Sequence, residues 1–324
     1  MTSSGSNKPT TTSQLAERAE RAFRYGLVRG ETLGVAVSGG SDSMALLLLA
    51  AEAGAQAGVS VSAATVDHGL RPEAAEEARI VKGVCDKLGI AHATLSWERA
   101  DSDKTVSQDA ARRARHSLLA EWAGKVGVSV VALGHTRDDR LETFLMRVRQ
   151  GSGWHGLAGL LPTGFSPVWP EGRGLKVIRP LLAFGREELR EELRARGAVW
   201  IEDPSNEAAR FERVRMRRLL QRMDAGTQAR ALKVMDGLME MRRSVAAEAR
   251  GLLSQVRYPE NGAAAEITLA ASEAAGAEAW LRFVEAMVMA AGGAAGPPRR
   301  EALERLLARI ATRDPGLDQI GRAH

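Results

Sequence analysis

Three clusters of polar residues in this chain could do chemistry, and each follows or opens an apolar run. The first is Ser38-Gly39-Gly40-Ser41-Asp42-Ser43, directly after Val35-Ala36-Val37. Gly39 and Gly40 permit a tight turn and let a ligand approach the backbone without a Cβ in the way. The N–H groups that open the following helix, at its positive dipole end, suit a phosphate. Hydroxyls on Ser38, Ser41 and Ser43 add donors, and Asp42 can hold a cation such as Mg²⁺ that neutralises phosphates. No Gly-Lys-Ser/Thr closes the loop, so it is not a Walker A site. A plain Ser/Gly turn between core elements is the competing reading, and the position of the loop directly after a buried strand favours phosphate. The second cluster is Asp67-His68-Gly69-Leu70-Arg71. The third runs from Gly134 to Thr143, where Asp138, Asp139 and Glu142 crowd the first turn of a helix beside His135. Asp138 and Glu142, four apart, share a face. Capping a helix uses one carboxylate or two; three beside a histidine invite a cationic ligand.

The elements that must position these clusters alternate strand with helix. Strands are expected at about Leu33 to Val37, Val59 to Val66, weakly near Leu95, and Val128 to Leu133. Helices fall at Leu15 to Leu27 (with Ser13 as cap), after the phosphate loop to about Ala53, from Pro72 to about Leu88, from Ser107 to Ala123, and from Asp138 to Arg149. Such alternation means parallel strands with right-handed crossovers, hence a doubly wound, mostly parallel α/β sheet. Ligands of these sheets bind beyond the carboxyl ends of the strands, where all three clusters fall. One active site follows from that convergence. Gly151-Ser152-Gly153-Trp154-His155-Gly156 matches a dinucleotide fingerprint, but it follows a helix rather than a strand, so that reading is rejected.

A length of 324 residues suggests two domains. Residues 1–12 read as a disordered tail, 13–222 as the catalytic domain that carries the phosphate loop and 223–324 as a smaller, mainly helical domain. Within the last, Glu266 to Ala270 is expected as a short strand, Glu273 to Ala290 and Glu301 to Ile310 as helices, and Gly292 to Pro298 as a linker. Net charge is +5, which suits a polyanionic partner without proving one. Cys85 is the sole cysteine, which leaves no disulfide framework and no thiolate cluster. No run approaches a membrane span and the polar N-terminus is no signal peptide, so the expected location is the cytoplasm, with no membrane partner. A homodimer is left open.

The loop Ser38 to Ser43 resembles the pyrophosphate loop of the ATP-pyrophosphatase family, whose members cleave ATP to AMP and pyrophosphate. Further pieces occur in order: Val66 to Arg71, Gly134 to Phe144 with Gly151-Ser152-Gly153, Arg179-Pro180-Leu181-Leu182, and Trp200 to Asn206. Together they resemble the tRNA(Ile)-lysidine synthetase family over about residues 30 to 220. Arg112 and Arg115 match that family's Ala-Arg-x-x-Arg-Tyr segment, with His116 at the usual Tyr. Arg140 stands for a usual Gln, Gln150 for a usual Arg and Val214 for a usual Asn.

The resemblance implies an adenine nucleotide alpha hydrolase-like fold and a two-step ligation. O2 of the wobble cytidine in the CAU anticodon of tRNA(Ile) attacks the α-phosphate of ATP, and the lysine ε-amine then displaces AMP from C2. In that scheme Ser38 to Ser43 and His68 bind ATP, Asp42 holds Mg²⁺, and Asp42, Asp138, Asp139 and Glu142 are catalytic. Asp139 and Glu142 receive the lysine, while Arg112, Arg115, Arg213, Arg217 and Arg218 meet tRNA. A dense basic stretch from Arg210 to Arg243 supports an RNA backbone partner. Two rivals remain open at this level. A thiolating relative would need more cysteines than Cys85, and a non-catalytic nucleotide-dependent RNA binder would have no use for three carboxylates beside ATP.

Overall fold

The computed structural model describes residues 14–67, 74–97, 108–168, 170–202, 211–257, 266–292 and 298–312. The expected tail, the Ser13 cap, His68 to Pro72, Asp203 to Arg210 and most of the Gly292–Pro298 linker lie outside these. In chain order the elements are α1 (Gln14–Phe23), β1 (Thr32–Ala36), α2 (Ser41–Ala57), β2 (Ser60–Asp67), α3 (Ala74–Leu88), β3 (Ala91–Ser96), α4 (Gln108–Val126), β4 (Val130–Ala132) and α5 (Arg137–Arg149). They continue with α6 (Trp154–Leu157), β5 (Thr163–Phe165), β6 (Lys176–Ile178), α7 (Arg186–Ala195), α8 (Phe211–Arg222), α9 (Ala225–Gly251), α10 (Leu269–Ala274), α11 (Ala277–Gly292) and α12 (Arg300–Ala311).

One six-stranded sheet carries the order β3-β2-β1-β4-β6-β5. All pairs are parallel except β5 with β6. The chain order doubles back at β1, so the carboxyl ends of β1 and β4, adjacent strands reached from opposite directions, frame the crevice where such sheets bind ligands. Both faces are covered. Leu33 and Val35 of β1 face a core built with Met44, Leu46, Leu47 and Leu49 of α2, Phe23 of α1, and Leu189 and Leu193 of α7. On the other face Val131 and Val177 pack with Leu119 and Trp122 of α4. Burying each of the four large α2 side chains contributes roughly 1.5–3 kcal/mol, an upper bound. That anchors α2 along its length and holds the loop at its start.

The chain divides into two compact units, one of Met1–Gln150 with Leu160–Gln228, the other of Gly151–Gly159 with Ala229–His324. The second has its own core of Leu252, Ala271, Leu281, Phe283, Val284 and Leu303. The strand expected at Glu266 to Ala270 is not formed. Arg257 and Glu266 make a single antiparallel bridge, and the Ala-rich run that follows is the helix α10. The expected helix from Glu273 is likewise split, with α11 starting at Ala277 after Gly276, whose N–H donates to Glu248 Oε1 at 2.6 Å.

Candidate active site

From β1 the chain turns through Ser38, Gly39 and Gly40 into α2. Gly39 has φ +86° and is backed by the segment after α7: a Cβ there would lie 2.4 Å from Ile201 Cδ1, and Ile201 N–H donates to Gly39 O at 2.9 Å. Only glycine satisfies both the left-handed backbone and the close wall. Ser43 ties the turn, its hydroxyl donating to Gly40 O at 2.9 Å and accepting from Ser38 N–H at 3.1 Å. Met44 N–H makes a helical bond to Gly40 O. The N–H groups of Ser41, Asp42 and Ser43 precede it and, with the helix dipole, form an anion site.

The third cluster is brought against this loop. A Cβ on Gly134, just past β4, would sit 3.3 Å from the carbonyl of Asp42 and the Cα of Ser43. The end of β4 thus crosses the first turn of α2 in near contact. From there Thr136 caps α5, and Asp139, not Asp138, completes the capping box: Thr136 N–H and hydroxyl donate to Asp139 Oδ2 at 2.8 and 3.0 Å. Asp138 caps a different helix. Its Oδ2 accepts the backbone N–H of Arg186, the first residue of α7, at 2.8 Å.

That contact delivers a side chain the sequence reading did not single out. The Arg186 guanidinium forks into the cluster: Nε donates to Asp42 Oδ2 at 3.0 Å and Nη2 to Asp139 Oδ1 at 3.1 Å, with Nη1 3.5 Å from Glu142 Oε1. Arg217 Nε of α8 donates to the same Glu142 oxygen at 2.7 Å. Glu142 is 2% exposed and Arg186 19%, so these charges meet largely out of water. Burial pushes the Asp42 carboxyl above its usual range, against the pull of Arg186. The Arg186 guanidinium in turn is held above its usual value by Asp42, Asp139 and Glu142 despite its burial. Three carboxylates, Asp42, Asp139 and Glu142, thus share the guanidiniums of Arg186 and Arg217.

A cavity of about 170 Å³ adjoins the cluster, lined by Asp139, Glu142, Arg112, His135, Thr143, Met146, Arg147, Gln150 and Leu160. His135 is pushed down to about 4, by burial and then by Arg179, so it is neutral at pH 7. His116 on α4 is also held down to about 4 by burial, with Arg112, Arg115 and Arg179 adding to the shift. The crevice can therefore take a polyphosphate at the loop and, next to it, an amine.

Comparison with known proteins matches the PP-loop domain family over residues 10–223. The chain is 44% identical over 282 residues to a tRNA(Ile)-lysidine synthase of Hyphomonas neptunium, covering 87% of this chain and 74% of that one. It is 46% identical over 188 residues to that of Zymomonas mobilis, covering 58% of this chain and 55% of that one. The chain belongs to the tRNA(Ile)-lysidine synthase family. Its members are ATP-dependent ligases built on the PP-loop domain. Among solved structures, the U34-tRNA thiolase NcsA of Methanococcus maripaludis shares the fold, with a TM-score of 0.59 at 16% identity over 69% of this chain and 77% of that one.

Read as a lysidine-synthase site, the crevice gathers Ser38 to Ser43, Asp138, Asp139 and Glu142 at one rim. Arg112 joins them at the cavity. Asp67 closes β2 in the strand beside β1, while His68 lies outside the described residues. Of the departures from the lysidine-synthase pattern, Gln150 lines the cavity, His116 and Arg140 are buried, and Val214 lies on α8. Arg218 is exposed on α8, whereas Arg217 beside it turns to Glu142; Arg115 is exposed on α4. Arg213 is on α8, with its side chain outside the description. Arg186 was missed because it opens an ordinary charged amphipathic helix rather than a polar cluster at the end of a strand. The signal that could have found its helix is Gly185, an acidic first turn at Glu187 and Glu188, and Leu189 with Leu193 four apart.

Proposed function

We propose that this chain forms lysidine on the wobble cytidine of CAU-anticodon tRNA(Ile), using ATP and L-lysine in two steps at one crevice. The observation that carries the reading is the meeting of the phosphate loop and the acidic cluster, with Asp42, Asp139 and Glu142 all within reach of one guanidinium. ATP lies with its phosphates on the N–H groups of Ser41 to Ser43, which stabilise charge growing on the leaving pyrophosphate. Cytidine O2 attacks the α-phosphate, pyrophosphate leaves, and the tRNA is adenylated. The lysine ammonium enters beside Asp139 and Glu142, where ion pairing holds it and a carboxylate takes up its proton. The freed amine attacks C2, and AMP departs with the former O2.

Asp42 suits Mg²⁺, which takes one or two carboxylates together with substrate phosphates rather than a protein cage. Among the described residues no three of His, Cys, Asp and Glu form such a cage. When bound there the ion would neutralise phosphate charge. Exposed Arg218 and the cavity-facing Arg112 are the better-placed tRNA contacts, with Arg115 and Arg213 retained and Arg217 committed to Glu142. In this reading residues 13–222 carry the chemistry and 223–324 grip the tRNA. No helix among the described residues is long and apolar enough to cross a membrane, in keeping with work on tRNA in the cytoplasm. Nothing in the scheme requires a homodimer.

A thiolating activity is the weaker alternative. The chain offers one thiol, Cys85, and burial pushes it up to about 11, away from the reactive thiolate. The test is transfer of labelled lysine to tRNA(Ile) bearing a CAU anticodon, compared with a GAU transcript and with omission of ATP. Label should appear in the CAU tRNA with ATP present and nowhere else. Label in both transcripts, or without ATP, would overturn the proposal.

A further inference from the structure

The geometry points to Arg186 as a coupling residue that makes lysine binding depend on ATP, through a guanidinium shared between the phosphate loop and the acidic pair. This rests on the lysidine reading above and assigns a residue to its regulation. Three observations carry it. First, the fork is divided: Nε goes to Asp42 on the loop, Nη2 to Asp139 and Nη1 toward Glu142. Second, the fork is anchored from behind, because the Arg186 backbone N–H is fixed by Asp138 and the helix by buried Leu189 and Leu193. The side chain can turn while its Cα stays. Third, the same helix reaches the loop again, with Arg190 Nε 3.4 Å from the Ser41 hydroxyl.

Charge decides the direction of the coupling. Any ammonium that enters at Asp139 and Glu142 must share them with a cation the chain already supplies, so the guanidinium competes with lysine. A triphosphate on the N–H groups of Ser41 to Ser43 is a far stronger anion than Asp42 and lies beside it. It draws the guanidinium away from Asp139 and Glu142 toward the phosphates, and a Mg²⁺ held by Asp42 would take over the charge that Nε leaves. Asp139 and Glu142 then face the cavity with their charge available. Linkage makes the effect reciprocal: ATP tightens lysine by the same factor that lysine tightens ATP. The consequence is an order. Lysine is held well only after ATP has arrived, which keeps the amine from an idle site.

The experiment is a lysine titration by calorimetry on the full chain, with and without α,β-methylene-ATP and Mg²⁺, in the natural protein and in R186Q and R186K. The natural protein should bind lysine roughly 5- to 150-fold more tightly with the analogue present. In R186Q the ratio should fall to near one, with lysine bound without the analogue at least as tightly as by the natural protein. R186K keeps the charge without the fork and should restore part of the ratio. A residue that merely braces the fold would lower both affinities together and leave the ratio alone, so an unchanged ratio in R186Q overturns the coupling. Thermal melts and tRNA binding of the variants check folding, and R186K serves if R186Q does not fold. E142Q in the same titration separates the two claims. If it leaves lysine affinity untouched, the lysine site itself is elsewhere and the coupling falls with it. If it weakens lysine while R186Q keeps the full ratio, only the coupling falls.

Discussion

Replacing Glu142 by Gln should slow lysine transfer and leave adenylation nearly intact. Glu142 is 2% exposed, and its Oε1 accepts from Arg217 at 2.7 Å and faces Arg186 at 3.5 Å. Gln keeps the length and a carbonyl that still accepts from Arg217, so α5 and its packing should persist. What is lost is one negative charge facing the cavity. A charge-assisted contact is worth roughly 1.5–3 kcal/mol, and each 1.36 kcal/mol is a factor of ten. Because two guanidiniums already share this carboxylate, the lower half applies, which is about a 10- to 45-fold rise in the lysine KM. Asp139 is a poorer target for the same question, since its carboxylate also caps α5 and a change there would disturb the helix. The assay follows lysine incorporation and pyrophosphate release in the same variant, and adenylated tRNA should accumulate at low lysine. If pyrophosphate release falls as far as transfer at saturating lysine, Glu142 serves ATP rather than lysine, and the division of labour proposed here is wrong.

Gly39→Ala should cost roughly 1–2 kcal/mol from the left-handed backbone alone, before the 2.4 Å approach to Ile201 is counted. Its ATP-dependent pyrophosphate release should collapse, and Ile201→Ala in the same chain should recover part of the stability in a thermal melt. Arg218→Gln should flatten the log–log salt dependence of tRNA binding by about one phosphate contact, while Arg217→Gln, released from Glu142, should alter the lysine KM more than the salt slope. His116 is pushed down to about 4 against an ordinary 6.5. Its contribution is therefore complete above pH 6.5 and is lost as pH falls toward 4, by roughly 2 kcal/mol at pH 5. His116→Tyr should lessen the drop in urea midpoint between pH 7 and pH 5, and an equal drop in both proteins would contradict that assignment.

The sheet was legible where strands were long or flanked by turn residues. β1, β2 and β4 carry apolar runs, and the weak signal near Leu95 is the edge strand β3. β5 and β6 are three residues each, as β4 is, but they lack the longer flanking apolar run, Val128 to Leu133, that marks β4. The phosphate loop and the acidic turn could be read because each is a local motif at the end of a strand. What held them together could not be. Ile201 behind Gly39, Gly134 against Asp42, and Arg186 across Asp42, Asp139 and Glu142 are contacts between segments that sequence does not bring near. The roles of the two aspartates also depended on such contacts: Asp138 serves the start of α7, and the cap of α5 falls to Asp139. Arg217, expected from the sequence to meet tRNA, is packed by α8 toward a buried glutamate, a contact no local pattern shows.

The central claim is that one crevice converts cytidine, ATP and lysine into lysidine. The most direct measurement is mass analysis of nucleosides from CAU-anticodon tRNA(Ile) after incubation with the purified chain, with AMP and pyrophosphate counted in the same reaction. The account predicts a nucleoside heavier than cytidine by one lysine less one water, formed with one AMP and one pyrophosphate each. ATP consumed without that nucleoside, or a sulfur-bearing product in its place, would contradict it.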